Sequence, residues 1–267
     1  MQGTFYVVGV GPGDPQLMTL KAARILERCE VWFVPSAFEN GGSMALKIAA
    51  GVVDATGKTI LSHRFPMKQV HRGRPADPEV KGAWQDAART IMACLAEGRD
   101  VVFPTLGDPA IYSTGFYVCE TLKEFESPFK VEIVPGVSAV GASSAVSGLP
   151  LCLGDERLVV IPATFANERI RELLDLCEVA VFMKVHKVMP RLVGLLDEMG
   201  LIGNAVLIER CSLEDQRIWP DVRDAVGREI HYFSTMIVRK APMNGSRFTH
   251  FAVGQKMTIH QHNRLAG

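Results

Sequence analysis

The chain has 267 residues, a length that fits two modest domains. At that size a core forms without disulfide or metal staples. Hydrophobic residues make up 48% and charged residues 22%, a globular composition that excludes disorder. Lys plus Arg (29) balance Asp plus Glu (29), so the formal net charge is zero and a bulk nucleic-acid partner, which needs a dominant positive field, is excluded. No run approaches the roughly 18 uncharged apolar residues of a membrane helix. Met1 to Val10 is too short for a secretory signal. Cys29, Cys94, Cys119, Cys152, Cys177 and Cys211 lie far apart with no C-x-x-C, which predicts reduced, mostly buried thiols in a cytoplasmic protein. His260 and His262 have no Cys, Asp or Glu beside them and read as a solvated tail, not a metal site.

Thr4 to Val10 is a β-branched and aromatic run bounded by glycine, the pattern of a strand buried on both faces. Thr19 caps a helix whose Ala22, Ile25, Leu26 and Cys29 share one face. Val31 to Val34 is a second strand, stopped by Pro35. Strand, helix and strand within about thirty residues predict a βαβ unit and a parallel sheet. Trp84, Ala87, Ala88, Ile91 and Leu95 follow a helical period that Gly98 ends. Val101 to Phe103 is the next strand, with a loop from Pro104 to Pro109 and a helix from about Ser113. Val131 to Val134 is a strand, and Ser138 to Ser147 a helix of small residues.

Three further strands, Val159–Ile161, Val179–Phe182 and Ala205–Ile208, alternate with helical stretches, one of them carrying Val188, Leu192, Leu195, Leu196 and Met199 on one face. Gln216 to Trp219 and Tyr232 to Val238 read as strands with no helix between them, which adds an antiparallel portion. The expected fold is two α/β domains, the first with a mainly parallel sheet (residues 1–114) and the second with a mixed sheet (residues 115–267).

Three loops follow buried strands: Gly9 to Asp14, Leu106 to Pro109, and Pro135 to Ser138. In open α/β sheets ligands bind at the carboxyl ends of strands, so three such loops predict one site. The first departs from the dinucleotide pattern G-x-G-x-x-G, because Asp14 stands at the last glycine and Pro12 lacks an N–H. Gly57-Lys58-Thr59 is a G-K-[ST] triplet, but Val52 stands where the P-loop pattern G-x-x-x-x-G-K-[ST] needs its first glycine. These departures remove the phosphate readings. They leave a ligand that tolerates nearby carboxylates, of which a sulfonium cofactor is one instance.

Gly9–Asp14 (GVGPGD), Thr105–Thr114 (TLGDPAIYST), Pro135–Ser138 (PGVS) and Met183-Lys184 together resemble the tetrapyrrole methylase family, in matching order and separation across nearly the whole chain. Gly154-Asp155-Glu156 and the segment from Tyr232 to Lys240 are similar to the branch that methylates carbon 20 of precorrin-2 or its cobalt form in cobalamin biosynthesis. The resemblance implies two α/β domains, a homodimer, and S-adenosylmethionine in the cleft between the domains. It implies a cofactor site formed by Pro12, Leu106, Gly107, Asp108, Ile111, Tyr112, Ser138, Ala139 and Met183. Other branches, which methylate uroporphyrinogen III or a different corrin carbon, share those motifs, as would a module that binds the cofactor without chemistry.

A carboxylate-fringed macrocycle needs cations. Arg64, Lys68, Arg72 and Arg74 lie in a stretch with His63 and His71 and no acidic residue before Asp77, which makes them the candidate substrate contacts. Phe65-Pro66-Met67 within it is an apolar patch able to cover a ring face. Tyr112 and His186 are candidate proton acceptors, with a helix-start role the plainer use of His186.

Overall fold

A computed structural model describes residues 2–36, 42–68, 70–71, 73–126 and 128–240. Arg72, His260 and His262 lie outside the described residues. The chain divides into two compact units, Met1–Ala142 with Arg210–Arg217, and Ser143–Glu209 with Ile218–Gly267.

The first unit holds β1 (Thr4–Gly9), α1 (Leu20–Arg28), β2 (Val31–Ser36), α2 (Met44–Ala50), β3 (Thr59–Arg64), α3 (Pro78–Ala96), β4 (Val101–Thr105), α4 (Thr114–Glu124) and β5 (Lys130–Val134). Its sheet is parallel throughout, in the order β3-β2-β4-β1-β5. Alternate residues of a strand point to opposite faces. Tyr6, Val8, Val10, Trp32 and Val34 therefore pack with Ala22, Ile25 and Leu26 of α1 and Ile48 of α2, while Phe5, Val7, Phe33 and Phe103 pack with Ile91 and Leu95 of α3 and Val118 and Leu122 of α4. Thr19 caps α1 as its sequence position predicts, accepting from the Ala22 N–H at 3.1 Å.

Two prolines expected to stop strands lie inside them. Pro35 is in β2 and Pro104 in β4. The pairing of these two neighbours covers only Val31↔Val101 and Trp32↔Val102, so beyond that point each is free of the other and a missing N–H disrupts no shared ladder.

The expected boundary at residue 114 is corrected. β5 pairs with β1 along its whole length, from Thr4↔Lys130 to Val8↔Val134, which keeps residues 115–142 in the first unit. α5 (Ala139–Ser147) contains the division.

The second unit continues with β6 (Leu158–Pro162), α6 (Asn167–Asp175), β7 (Val179–Met183), α7 (Met189–Glu198), β8 (Ala205–Glu209), β9 (Arg217–Trp219) and β10 (Ser234–Arg239). The sheet order is β6-β7-β10-β8-β9; β6 and β7 are parallel, and β10 is antiparallel to both β7 and β8. It is mixed, as expected, although a short 3-10 turn at Val222–Ala225 lies between β9 and β10. Ile170 and Leu174 of α6, and Leu192, Leu195 and Leu196 of α7, cover Ile161, Phe182, Leu207 and Met236. Full burial of each such side chain contributes about 1.5–3 kcal/mol.

At the Val179 end of this sheet the buried Arg239 donates to the Glu156 carboxylate and to the Pro150 carbonyl, the latter at 3.2 Å. The ion pair joins two segments that the sequence singled out separately.

Candidate active site

The three loops follow β1, β4 and β5, which stand side by side, so the parallel order alone brings them to one edge. Backbone contacts then lock them. Gly107 N–H donates to the Gly11 carbonyl at 2.8 Å and Gly11 N–H to the Gly107 carbonyl at 3.3 Å, while Val10 N–H reaches Thr105 O at 3.0 Å. Asp108 ties the second loop to the third: Oδ1 accepts from Ala110 N–H at 2.7 Å and Oδ2 from Gly136 N–H at 2.8 Å. Gly136 has to be glycine, because a Cβ there would lie 2.4 Å from the Gly107 carbonyl oxygen and 2.9 Å from backbone atoms of Gly9.

The helix behind the second loop is fixed within the same motif. Ser113 caps α4 by accepting from Gly115 N–H at 3.0 Å, and its hydroxyl is also 3.0 Å from that of Thr105. Both side chains are buried. Ser138 caps the start of α5 through Gly141 N–H at 3.2 Å.

Eight of the nine expected cofactor residues fall on these loops and at the starts of the helices that follow. Pro12 and Gly107 are buried, Leu106 packs on the α1 side of the sheet, and Ile111 N–H donates to Asp108 O at 3.2 Å. Tyr112 is 47% exposed with φ +55°, a left-handed backbone that a side chain rarely adopts outside functional turns. Partial burial pushes its phenol pKa above the ordinary range. Met183, the ninth, is half-buried at the end of β7 in the second unit.

A phosphate cradle presents unspent N–H groups to its ligand. Here those of Val10, Gly11, Gly107, Ala110 and Gly136 are bound to protein acceptors, and Asp14 takes Gln16 N–H at 2.8 Å. Pro12 has none. The two carboxylates are turn caps, and the edge is lined by glycine backbone and by carbonyl and carboxylate oxygens. The oxygens at this edge fit a cationic sulfonium cofactor.

Sequence reasoning missed Arg210–Arg217, which folds into the first unit beneath the first loop: a Cβ on Gly13 would lie 2.8 Å from Cys211 O and from a Leu213 side-chain carbon. Arg210 (φ +50°) and Ser212 (φ +64°) are left-handed, and neither residue type announces such a conformation.

The proposed basic stretch is rearranged. Lys68 is 3.0 Å from Asp77 and 2.7 Å from Glu79 at the start of α3, and these partners raise its pKa. Its charge is matched locally by acids that follow it in sequence. Arg64, at the end of β3, and Arg74 are exposed. Phe65 joins the core, 6% exposed, instead of covering a ligand, whereas Met67 is 59% exposed. His63 is held by Phe33, Phe65 and the Ala83 carbonyl at 2.9 Å.

His186 does not start α7, whose first residue is Met189 and whose N-cap is Val188. Its ring stands 5.1 Å from that of Tyr232, edge to face, and its buried Nδ1 has no hydrogen-bond partner. Such an unpaired atom costs about 1–3 kcal/mol. Burial, then Lys187 and His231, lower its pKa and favour the neutral ring. A buried Glu209 stands nearby at the end of β8, its Oε2 accepting from Trp219 Nε1 at 2.6 Å and Oε1 from His231 N–H at 2.8 Å.

Among the described residues no helix is long and apolar enough to cross a membrane.

A parallel α/β unit whose three adjacent strand ends carry interlocked glycine loops defines a binder of a small ligand at that edge. Residues 4–226 match the family of tetrapyrrole (corrin/porphyrin) methylases. A cobalt-precorrin-2 C(20)-methyltransferase of Salmonella typhimurium is 31% identical over 242 residues, 90% of this chain and 98% of that one. A precorrin-2 C(20)-methyltransferase of Sinorhizobium is 28% identical, covering 88% and 95%. A crystal structure of uroporphyrin-III C-methyltransferase from Thermus thermophilus with S-adenyl homocysteine is similar in fold, with TM-score 0.63, 20% identity and coverage of 89% and 98%. The chain belongs to the tetrapyrrole methylase family, and is a methyltransferase that uses S-adenosylmethionine.

Proposed function

We propose that this methyltransferase methylates carbon 20 of precorrin-2 or of its cobalt form. The reading is supported by the two relatives of that activity, which align over most of both chains. The observation that carries the cofactor side is the loop edge in which every N–H group named above is already spent. Pro12, Leu106, Gly107, Asp108, Ile111, Tyr112, Ser138, Ala139 and Met183 are the residues proposed to serve the cofactor. Arg64, Arg72 and Arg74 are proposed to hold substrate carboxylates, Lys68 being engaged by Asp77 and Glu79. The family resemblance extends the proposal to a cytoplasmic homodimer, whose assembly sedimentation would read.

Bound S-adenosylmethionine supplies an electrophilic methyl on a sulfur that leaves neutral, so the protein needs no acid for departure. What the chain contributes is position. Holding two reactants at near-attack distance lowers a barrier by up to about 7–11 kcal/mol. Loops locked through backbone contacts suit that task, since their geometry depends on few rotamers.

Incubation with methyl-labelled S-adenosylmethionine and either precorrin-2 or cobalt-factor II, followed by mass and NMR location of the label, tests the reading. Label at carbon 20 is expected. Label at another carbon overturns the position, and cofactor binding without transfer overturns the activity. Arg64→Ala with Arg74→Ala should raise the tetrapyrrole KM and leave S-adenosylhomocysteine affinity unchanged.

A further inference from the structure

A groove of about 710 Å³ lies within the first unit, between α1 and the edge strand β5, with Tyr6 of β1 in its lining. Lys21, Arg24 and Arg28 line it from one side of α1, at i, i+3 and i+7, and Lys130 lines it from β5. Against these four cations the lining holds one carboxylate, Glu132, although the chain as a whole is neutral. Glu132 binds Lys21 at 2.7 Å and stands 3.7 Å from Lys130. Among the described residues neither Arg24 nor Arg28 forms an ion pair, and Glu27 and Glu30 of the same segment do not line the groove. The Arg28 guanidinium stands 4.8 Å over the ring of the buried Tyr6. A guanidinium held by its face keeps its N–H edge for an anion. Burial, then Asp100, pushes the adjacent Cys29 thiol up to about 12, so it brings no negative charge to Arg28. Like charges at these spacings weaken the helix that carries them, a cost that a bound anion would remove.

We propose that this groove is a second ligand site, for a small polyanion bearing two or more carboxylate or phosphate groups. Arg24 and Arg28, one helical turn apart, take one anionic group, and Lys130 takes another from the β5 side. Leu20, 76% exposed, and Ile25 add apolar surface beside the charges, which suits an organic body between the anionic groups. The volume agrees, since it falls within the roughly 300–1,000 Å³ of pockets for organic ligands and exceeds what a single inorganic ion fills. The site is separate from the one described above. The pairs Thr4↔Lys130 and Tyr6↔Glu132 set it along the first half of β1 and β5, whereas the three loops follow the carboxyl ends, and none of the proposed cofactor or substrate residues lines it. It therefore does not depend on the tetrapyrrole reading.

The test is calorimetric titration of the full chain with benzene-1,3,5-tricarboxylate and, in a separate arm, with pyrophosphate, acetate being the single-charge control. One polyanion per chain should bind, at least about tenfold tighter than acetate. Tighter binding of the tricarboxylate names an organic acid as the source and tighter binding of pyrophosphate a phosphate compound; either supports the site. Arg24→Gln with Arg28→Gln should weaken the better probe about tenfold or more. Arg28→Lys, which keeps the charge and loses the planar fork, should weaken it less. Both arginines are exposed, so the variants should melt close to wild type and bind S-adenosylhomocysteine unchanged. Saturating S-adenosylhomocysteine should leave the polyanion affinity as it was. The proposal is overturned if neither probe binds better than acetate, if the double variant binds like wild type, or if S-adenosylhomocysteine displaces the probe.

Discussion

The two units build their candidate sites from different materials. On the first sheet the work is done by main chain: Gly11 against Gly107, Gly136 against Gly9 and Gly107, and one aspartate spanning two loops. On the second, side chains do it: rings packed edge to face or tilted from His186 to His231, and a buried Glu209 bracketing Trp219 and His231. A backbone-built site tolerates no added atom but accepts varied side chains around it. A side-chain-built site tolerates neighbouring substitutions and is retuned by changing one ring or one charge, which is where discrimination among related substrates is most easily placed.

The largest expected effect tests the first half of that contrast. In Gly136→Ala the new methyl would meet backbone on two loops, neither of which can yield without parting a hydrogen bond. A cost of about 3 kcal/mol or more follows, with S-adenosylhomocysteine binding lost. Gly82→Ala is the control, because a Cβ there meets nothing within 4 Å inside α3, and it should stabilise by about 0.4–1 kcal/mol. Calorimetric titration and melting of both variants decide it. Wild-type binding by Gly136→Ala would end the claim that close backbone contact defines the edge.

Glu209 offers the next effect. Glu209→Ala strands Trp219 Nε1 and His231 N–H and should cost about 2 kcal/mol in a urea melt. Glu209→Gln keeps an acceptor and should lose less. Equal losses would mean that the negative charge, rather than the bracket, stabilises this edge.

Glu209 also shows what the sequence hides. Nothing marks a carboxylate at the end of an apolar run as a bracket for residues ten and twenty-two positions on. The loops of the first unit were legible because close approach requires glycine, and glycine leaves a spacing to read. Asp108 was legible as a site residue but not as a latch, since its partner Gly136 is twenty-eight residues away. β3 left no trace because TILSHR is an edge strand, exposed at alternate positions with little apolar signal. Lys68 looked unpaired because charges were counted along the chain, whereas Asp77 and Glu79 return to it through the turn into α3. The prolines misled for a related reason: their cost depends on whether a neighbouring strand needs the missing N–H.

The smallest expected effect distinguishes the units by pH. In the second unit Arg157 donates from Nη2 to Glu178 Oε1 at 2.6 Å, and from Nε and its own backbone N–H to Oε2 at 3.1 and 2.7 Å. These bonds lower the carboxyl from 4.5 to about 2. The unfolded chain takes up this proton near 4.5 and the folded chain only near 2. Between those values the unfolded state binds more protons, so the contribution is complete above the window and is lost as the pH falls through it. Exposure of the pair to solvent keeps the contribution small. Glu178→Gln should therefore melt slightly below wild type at pH 6, with the gap narrowing as the pH approaches 2. Gly82→Ala in the first unit touches no such group, and its shift should be independent of pH across the same range. A gap for Glu178→Gln that stays constant with pH would show that Arg157 is held by geometry alone, and would remove charge from the account of how this end of the second sheet is fastened.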